Sequence, residues 1–246
     1  MRKLAWVVCF FIFGCAVLKD APISVCVCKA DEDAKLFAAK LKQNLESIVL
    51  VITKDFDGRA IGAGTGWVYG KNGVIITARH VINELIVASV EVTFYEEGRT
   101  VVKKALWRHS ANHDLSVLTI SHKFKNQLQI RTTDLESGEN LYALGFPLNF
   151  MPESGKKYPQ TQSYGRFYMY APLIFRIDLA LVTEIMQLST VFASPGFSGA
   201  PVFDKNGSVV GVLSGVKSLD NRPSDPVFAW STPLKYFSEV VKESKK

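Results

Sequence analysis

The chain has 246 residues, of which 48% are hydrophobic and 21% are charged, and its formal net charge is +6. This size and composition suit one globular unit or two closely packed lobes. No basic run is interleaved with aromatic residues, so the sequence excludes nucleic acid as a partner. Seventeen glycines and ten prolines lie among many short β-branched runs, which favours an all-β architecture.

The first 30 residues are predicted to be a targeting segment rather than part of the fold. Arg2 and Lys3 supply positive charge, and residues 4–14 form an uncharged apolar run, shorter than the about 20 residues that span a bilayer. Cys15 follows Ile-Phe-Gly in a pattern that resembles a bacterial lipoprotein box, which makes it the candidate lipidation site. Cleavage of a secretory signal after Ala30 and retention as an uncleaved membrane anchor are the alternatives. All three interpretations export the rest of the chain, to a periplasmic or membrane-anchored position in a bacterial cell envelope or into the medium.

Cysteine and histidine spacing gives no metal or cofactor site. All four cysteines lie in the leader, at positions 9, 15, 26 and 28, so no disulfide is expected in the body of the chain. The two cysteines at 26 and 28 are too closely spaced for a usual zinc or redox pair. His109 and His113 have a metal-like spacing, but they are expected in a loop with no third ligand. We therefore predict neither a metal nor a cofactor.

The elements that follow the leader predict a first β-lobe over about 48–122. Residues 31–47 have helical periodicity and an acidic first turn, which predicts a short amphipathic helix packed on the lobe, with a trimerisation arm as the alternative function. Strands are then expected at 48–52, at 62–69 and 74–77 joined by an Asn-Gly turn, at 90–95 and 100–107 as a second hairpin, and at 114–120. On that last extended strand, His113 is expected to point away from Asp114.

A second β-lobe is predicted over about 128–232. Its strands are expected at 140–147, 182–190, 209–215 and 227–233, before a terminal helix at 234–243. The stretch 149–172 is rich in Tyr, Pro and Gly, which favours a surface loop or a long hairpin. The alternative interpretation of this stretch is a substrate-gating or regulatory loop near the active site.

Three short motifs in the two lobes carry residues suited to nucleophilic catalysis. In Gly-Phe-Ser-Gly at 196–199, the backbone N–H groups of Gly196 and Ser198 can form an oxyanion hole beside the Ser198 hydroxyl. A serine nucleophile needs a base, and the base needs a carboxylate that orients it. His80 follows an apolar strand and Asp114 opens another, so the candidate groups occur in the order His80, Asp114, Ser198.

Together, the three motifs resemble those of the trypsin-like, chymotrypsin-fold serine peptidases, most closely the HtrA/Deg-like branch. In that family the histidine follows an I-x-T-A-x-H-V-like strand, the aspartate opens D-L-(A/S)-V-L, and the serine lies in G-x-S-G-G-P. The resemblance covers about residues 34–243. It implies an all-β fold of two six-stranded antiparallel β-barrel lobes with short N- and C-terminal helices. It also implies one peptidase domain over 31–246 without a PDZ module.

The resemblance further implies an endopeptidase that acts on polypeptides. Ser198 attacks the peptide carbonyl, His80 takes and returns the proton, and Asp114 orients His80, while Gly196 and Ser198 form the oxyanion hole. No acidic residue lies at 190–195, so we expect small or medium aliphatic side chains before the cut. A role in protein quality control and a homo-oligomeric state are further expectations. The implied substrate pocket is lined by Phe192, Leu213, Ser214 and Gly215.

Two residues depart from the family pattern. Phe197 stands before the serine where Asp or Asn is commoner, and Ala200 replaces the second glycine after it. If position 200 requires a positive φ, alanine costs about 1–2 kcal/mol there, and the oxyanion hole is malformed at rest. These departures support the alternative that the chain is a catalytically silent pseudo-peptidase that binds peptides. A third hypothesis is a self-processing enzyme that cuts only its own leader or one partner protein.

Overall fold

The computed structural model of the chain describes residues 45–147, 161–171, 176–177, 180–181, 185–190, 195–218 and 226–237. The leader with Cys15, residues 31–44 of the predicted first helix, and the part of the predicted terminal helix beyond residue 237 lie outside the described residues. Short 3₁₀ helices occur at Leu45–Ser47 and Leu234–Tyr236. None of the helices in the described part of the chain combines the length and the apolar character needed to cross a membrane.

The described residues form fourteen β-strands. The first six are β1 (Ile48–Lys54), β2 (Ala60–Gly70), β3 (Val74–Thr77), β4 (Ser89–Glu96), β5 (Arg99–His109) and β6 (Ser116–Thr119). The remaining eight are β7 (Asn140–Gly145), β8 (Thr161–Ala171), β9 (Arg176–Ile177), β10 (Ala180–Leu181), β11 (Ile185–Thr190), β12 (Pro201–Phe203), β13 (Val209–Ser218) and β14 (Pro226–Pro233).

The strands close into two antiparallel six-stranded barrels. Barrel one has the order β1-β2-β3-β6-β5-β4, and barrel two has the order β11-β14-β13-β12-β7-β8. Strands β9 and β10 pair only with each other in a separate small sheet. Closure leaves neither barrel with an unpaired edge. The predicted all-β fold of two six-stranded antiparallel barrels is confirmed.

The second hairpin of barrel one owes its tight turn to two residues with positive φ. Glu97 and Gly98, between β4 and β5, have φ angles of 49° and 83°. A two-residue hairpin turn with positive φ at both central positions has the twist that matches its flanking strands. The predicted hairpins at 62–77 and 90–107 correspond to the observed pairs β2–β3 and β4–β5.

The stretch predicted as a surface loop or long hairpin contributes a full barrel strand. Strand β8 pairs with β7 as the second arm of a hairpin and with β11 on its other side, so it closes barrel two. The surface-loop interpretation is therefore wrong for residues 161–171, while the hairpin interpretation is correct for them. The abundant tyrosines suit a strand that has β neighbours on both sides, because aromatic residues pack well on a pleated surface. Residues 148–160 lie outside the described part.

Buried apolar side chains form three clusters, of which one draws on both barrels. One cluster belongs to barrel one and includes Val49, Val51, Val68, Ile75 and Leu118. Another belongs to barrel two and includes Leu141, Phe167, Met186, Phe197 and Val202. The third, which we call the shared core, contains Ile48, Leu50, Trp67, Ile76, Ala78, Leu115, Val117, Leu128, Tyr142, Leu144, Phe146, Phe203, Val209, Val212, Leu234 and Phe237. Because the shared core joins the barrels, it fixes the position of one barrel against the other. A site can therefore form between their facing surfaces.

The segment that connects β6 to β7 crosses this shared core. The Leu128 N–H donates to Val68 O in barrel one at 3.1 Å, and Ile130 forms a parallel bridge with Val209 in barrel two. The Leu128 side chain is buried in the shared core between these two attachments. The connecting segment therefore holds the barrels together by main-chain hydrogen bonds as well as by apolar burial.

Candidate active site

His80 is presented at the end of strand β3. The strand ends at the buried Thr77, the buried Ala78 follows, and a short 3₁₀ helix, Arg79–Val81, then turns the chain. The Thr77 hydroxyl donates to Thr65 O on β2 at 2.7 Å, which fixes the end of the strand. The His80 side chain remains 32% exposed, so it is open to a substrate.

Asp114 lies in the connection between β5 and β6. The Leu115 N–H donates to His113 O at 2.8 Å, which makes Asp114 the central residue of a tight turn. The Ser110 hydroxyl accepts from the Asn112 and His113 N–H groups at 3.3 and 3.2 Å. The prediction of an extended strand from residue 114 is wrong here, because β6 begins at Ser116 and these turn hydrogen bonds replace the ladder. The argument that alternation points His113 away from Asp114 fails with it.

His80 and Asp114 make two hydrogen bonds to each other. The His80 Nδ1–H donates to Asp114 Oδ2 at 2.8 Å, and the His80 backbone N–H donates to Asp114 Oδ1 at 2.9 Å. The two bonds hold both the ring and the backbone of His80 against one carboxylate. With Nδ1 engaged in this way, Nε2 is the ring nitrogen that remains to accept a proton from a nucleophile.

The Asp114 carboxylate is buried, with only 4% of its side chain exposed. Burial acts to raise the pKa of Asp114, but the hydrogen bonds and charge of His80, with a further hydrogen bond from the Ser214 hydroxyl, outweigh it. The pKa of Asp114 therefore lies below its ordinary value. The carboxylate is therefore ionised at neutral pH.

The loop that carries Ser198 is held against β2 by Thr65. The Thr65 N–H donates to Ser198 O at 2.8 Å, and the Thr65 hydroxyl donates to Gly196 O at 2.7 Å. The same hydroxyl accepts from the Phe146 N–H of barrel two at 3.0 Å. Sequence reasoning missed Thr65, and its position inside the G-x-G-x-G string of β2 was the only signal for it.

Gly64 brings the histidine segment and the serine loop to one point. A Cβ at Gly64 would lie 2.7 Å from Val81 Cγ2 and 2.9 Å from Ser198 O, closer than real Cβ contacts allow. Val81 is the residue after His80, so the two segments meet across a position where only glycine fits. The structure thus joins His80 to Asp114 directly, and Ser198 reaches this pair through the backbone contacts at Gly64 and Thr65.

Two glycines of the serine loop have left-handed backbone conformations. Gly196 has a φ of 100° and Gly199 a φ of 87°. A Cβ at Gly199 would overlap Thr65 O and Thr77 Oγ1 and would lie 2.9 Å from Ala78 N. Only glycine therefore fits at position 199, directly after the serine.

The strain argument for Ala200 is wrong. Among the described residues, Glu97 alone has a positive φ without being glycine, so Ala200 adopts an ordinary backbone conformation. Its methyl group is fully buried in the barrel-two cluster, and Phe197 is buried in the same cluster, where its ring lies against Gly145. Both departures from the family pattern are thus packing residues that anchor the serine loop in barrel two.

The predicted pocket residues on β13 lie beside the serine loop. The Gly199 N–H donates to Leu213 O at 2.7 Å, and the Leu213 N–H donates to Ala200 O at 2.8 Å. Ser214 occupies a β-bulge, is buried, and lies with its hydroxyl 3.2 Å from Thr232 Oγ1. Because this hydroxyl also bonds Asp114, Ser214 supports the acid, and its place in the substrate pocket stays a prediction.

The other two predicted pocket residues are Gly215, which the structure describes, and Phe192, which it does not. A Cβ at Gly215 would press on the Trp230 ring, with 2.6 Å to Cζ2, so the absence of a side chain there makes room for the indole. Phe192 lies outside the described residues. The composition of the pocket, and the aliphatic preference expected from it, stay predictions.

His109, one of the two histidines with metal-like spacing, ends strand β5 and does not lie in a loop as predicted. Its Nδ1 lies 2.6 Å from Ser116 Oγ. In the part of the chain that the structure describes, no group of three or more His, Cys, Asp or Glu side chains is arranged to hold a metal ion.

Two closed six-stranded barrels with a histidine–aspartate pair between them define a chymotrypsin-like class of protein. A family model described as the trypsin-like peptidase domain matches residues 64–212, which include His80, Asp114 and Ser198. The chain therefore belongs to the trypsin-like peptidase domain family, as the three sequence motifs predicted.

Similar proteins are serine proteases of the HtrA and Deg types. The chain is 33% identical over 159 residues to the "Serine protease Do-like HtrA" of Bacillus subtilis, a match that covers 62% of this chain and 33% of that protein. The chain thus spans about a third of the length of this curated relative.

Two solved structures have the same fold. The crystal structure of Deg5 superposes with a TM-score of 0.63 at 20% identity, covering 87% of this chain and 94% of that chain. The serine endoprotease from Yersinia pestis superposes with a TM-score of 0.61 at 18% identity, covering 84% of this chain and 65% of that chain. The predicted resemblance to the HtrA/Deg-like branch is confirmed.

Proposed function

We propose that this chain is an exported serine endopeptidase that hydrolyses peptide bonds through an acyl-enzyme, with His80, Asp114 and Ser198 as its triad. The observation that carries the proposal is the pair of hydrogen bonds between His80 and Asp114, at 2.8 and 2.9 Å, beside the serine loop. A carboxylate bonded to Nδ1 fixes the tautomer in which Nε2 can act as a general base.

In the proposed reaction, His80 Nε2 takes the Ser198 hydroxyl proton as Oγ attacks the peptide carbonyl. The backbone N–H groups of Gly196 and Ser198 stabilise the oxyanion of the tetrahedral intermediate, and His80 then gives its proton to the leaving amine. Water next attacks the acyl-enzyme. His80 takes a proton from this water and then gives it to the Ser198 oxygen as the leaving group. The positively charged His80 ring that forms in each half is stabilised by the ionised, buried Asp114.

The resting conformation of the loop supports an active enzyme more than a pseudo-peptidase. The two residues that favoured a silent site, Phe197 and Ala200, are buried in barrel two, and Ala200 has no positive φ. Gly196, at the proposed oxyanion hole, has the φ of 100° that its lack of a Cβ permits. Both departures are therefore compatible with a formed oxyanion hole.

We extend the proposal to the location and partners of the protein. The apolar leader supports export and attachment to the membrane through Cys15 or an uncleaved anchor. The similarity to HtrA- and Deg-type proteases supports polypeptide substrates, a role in protein quality control and assembly into a homo-oligomer. Neither a cofactor nor a metal enters the proposed chemistry.

Covalent labelling by a fluorophosphonate probe tests the activated serine. We expect the full chain to be labelled, and we expect Ser198→Ala to abolish labelling because the probe reacts with an activated serine Oγ. Ser121→Ala, at an exposed serine outside the site, is the matched control and should label like the parent chain.

Failure of the folded parent chain to label would contradict the proposed peptidase and support the peptide-binding alternative. Labelling that survives in Ser198→Ala would show that another serine reacts. Either result would remove Ser198 from the role of nucleophile.

A further inference from the structure

A second histidine–carboxylate contact lies beside the His80–Asp114 pair. The His109 ring is only 7% exposed, and its Nε2 lies 2.9 Å from Glu84 Oε1. On its other side, Nδ1 lies 2.6 Å from the Ser116 hydroxyl, a short hydrogen bond. The approach of Nε2 to Glu84 lacks hydrogen-bond geometry, so one hydrogen bond and one close polar contact join Glu84, His109 and Ser116 into a group that we call the brace.

The brace joins the same two chain segments as the catalytic pair. Glu84 comes four residues after His80, and Ser116 comes two residues after Asp114. Ser116 is fully buried in β6, opposite His109 in the β5–β6 ladder, so this end of the brace is rigid. The Glu84 end lies on the loop that follows His80. Glu84 contacts His109, and His109 is bonded to Ser116 on β6. The loop after His80 is thus linked to the strand that follows Asp114.

The loop at 82–88 is attached to barrel one at its two ends, because Ile82 and Val87 are buried in the barrel-one cluster and the Ala88 N–H donates to Lys54 O at 2.8 Å. Its internal hydrogen bonds are local, from the Leu85 N–H to Asn83 Oδ1 at 3.1 Å and from the Val87 N–H to Asn83 O at 2.9 Å. Leu85 and Ile86 at its tip are exposed. Segments with mainly local, solvent-exposed hydrogen bonds open most readily. Between the two attached ends of the loop, the contact between Glu84 and the buried His109 ring links the exposed tip to the barrel.

A further contact fixes the other side of His80. The Arg79 Nη1–H donates to Ser110 O at 3.2 Å, in the turn that carries Asp114. The histidine segment is thus tied to the β5–β6 connection both before and after His80. The Arg79–Ser110 hydrogen bond and the Glu84–His109 contact therefore flank the two hydrogen bonds between His80 and Asp114.

We propose that the brace positions His80 for the reaction, with Glu84 and His109 as positioning residues that hold the loop after His80 against strand β6. Glu84 acts on the reaction through His109 and Ser116 and touches no reacting atom. The proposal deepens the peptidase function and rests on it for its effect on rate. Its structural part, that the brace holds the His80 backbone, does not depend on catalysis.

The test compares Glu84→Ala with Glu97→Ala in the full chain. Glu97 is the matched control, because it is exposed to the same 62% as Glu84, lies in the same barrel and also pairs with a basic group, Lys125. Two readouts are measured. One is hydrogen exchange of the His80 amide, whose N–H donates to Asp114 Oδ1. The other is the rate constant of fluorophosphonate labelling.

We expect Glu84→Ala to exchange the His80 amide faster and to label about tenfold more slowly, a smaller loss than the ~100-fold that a 1 Å misplacement can cause. Its melting temperature should match that of Glu97→Ala, which a purely structural role would not predict. Unchanged His80 exchange in Glu84→Ala would overturn the proposal. Faster exchange with an unchanged labelling rate would overturn the positioning role. If the parent chain does not label, the peptidase proposal fails, and the exchange measurement still decides whether the brace holds His80.

Discussion

At the scale of single residues, the site depends on positions where a side chain must be absent. Gly64 separates Val81 from Ser198, and Gly199 lies against the backbone oxygen of Thr65 and the Thr77 hydroxyl. The contacts of Gly199 are with atoms fixed in barrel one, so those atoms cannot move aside for a Cβ. The glycines of the serine loop and of β2 thus set how closely the serine loop approaches the histidine segment.

Substitution of Gly199 by alanine should destabilise the protein and abolish fluorophosphonate labelling. The new Cβ would meet a left-handed backbone at φ 87° and overlap Thr65 O and Thr77 Oγ1. Gly138→Ala is the matched control, because Gly138 has a φ of 90° and nothing within 4 Å of its Cβ position. The control should cost only the backbone strain of about 1–2 kcal/mol.

Chemical denaturation of Gly199→Ala and Gly138→Ala measures the loss in free energy of unfolding that each substitution causes. The loss in free energy of unfolding should be larger for Gly199→Ala than for Gly138→Ala, because only the Cβ at position 199 overlaps other atoms. Equal costs at the two positions, with labelling retained in Gly199→Ala, would contradict the close approach of the serine loop to β2.

At the scale of elements, the segment before β7 is anchored to the turn between β12 and β13. The Arg131 guanidinium makes two bonds to Glu139, at 2.8 and 3.1 Å, and a third to Asp204 Oδ2 at 3.3 Å. The other oxygen of the buried Asp204 accepts from the Asn206 and Ser208 N–H groups at 2.8 and 3.0 Å. One cation therefore fixes the connecting segment and a barrel-two turn together.

Arg131→Met, which keeps an apolar stem, should lower the free energy of unfolding at neutral pH by about 2 kcal/mol, the contribution of hydrogen bonds to charged groups. Hydrogen bonds from Arg131, with that from the Glu136 N–H, hold the pKa of Glu139 below its ordinary value. A lowered carboxylate pKa gives stability that is present above the unfolded pKa and lost as the pH falls through the folded pKa. The difference between variant and parent should therefore shrink in acid.

Urea unfolding of Arg131→Met at neutral pH and below the ordinary pKa of glutamate measures this change. The control is Arg59→Met, since Arg59 pairs with Asp57 at 3.2 Å on an exposed hairpin. The control should change stability little, because exposed ion pairs contribute about 0–1 kcal/mol. A stability loss in Arg131→Met that is independent of pH would mean that Glu139 is not the main partner of the guanidinium.

At the scale of the whole molecule, the two barrels share one core. Residues from β1, β2, β3 and β6 of barrel one pack with residues from β7, β12 and β13 of barrel two, and Leu128 lies among them. Neither barrel can bury these side chains alone. We therefore expect the described part of the chain to unfold as one cooperative unit.

Leu128→Ala should lower the free energy of unfolding by about 2–5 kcal/mol, as removal of a buried leucine side chain does. The loss should leave a single transition, because both barrels lose the same contacts. Leu106→Ala is the control at a leucine that is 77% exposed, where we expect a change within about 0.5 kcal/mol. Two separate transitions, recorded by circular dichroism and tryptophan fluorescence, would contradict the shared core.

Sequence reasoning predicted the fold and the residues of the candidate triad because their signals are local. The Asn-Gly turn, the alternating β-branched strands and the three motifs around His80, Asp114 and Ser198 each lie within about ten neighbouring residues. Strand β8 was covered only by one of two alternatives, because its stretch was predicted as a surface loop or a long hairpin. Its residues resemble a loop in composition, and they become a strand because β7 and β11 offer hydrogen bonds on both sides.

The sequence by itself determined the all-β class, the two-lobe order and the chemical groups available for catalysis, because strand periodicity and turn chemistry are properties of short segments. Only the tertiary structure decided that Thr65 holds the serine loop, that Ser214 bonds Asp114, and that Ala200 is unstrained. The same holds for the brace at His109 and for the Arg131 anchor. These are contacts between side chains far apart in the chain, so their existence depends on barrel closure and on the shared core, which no local pattern specifies.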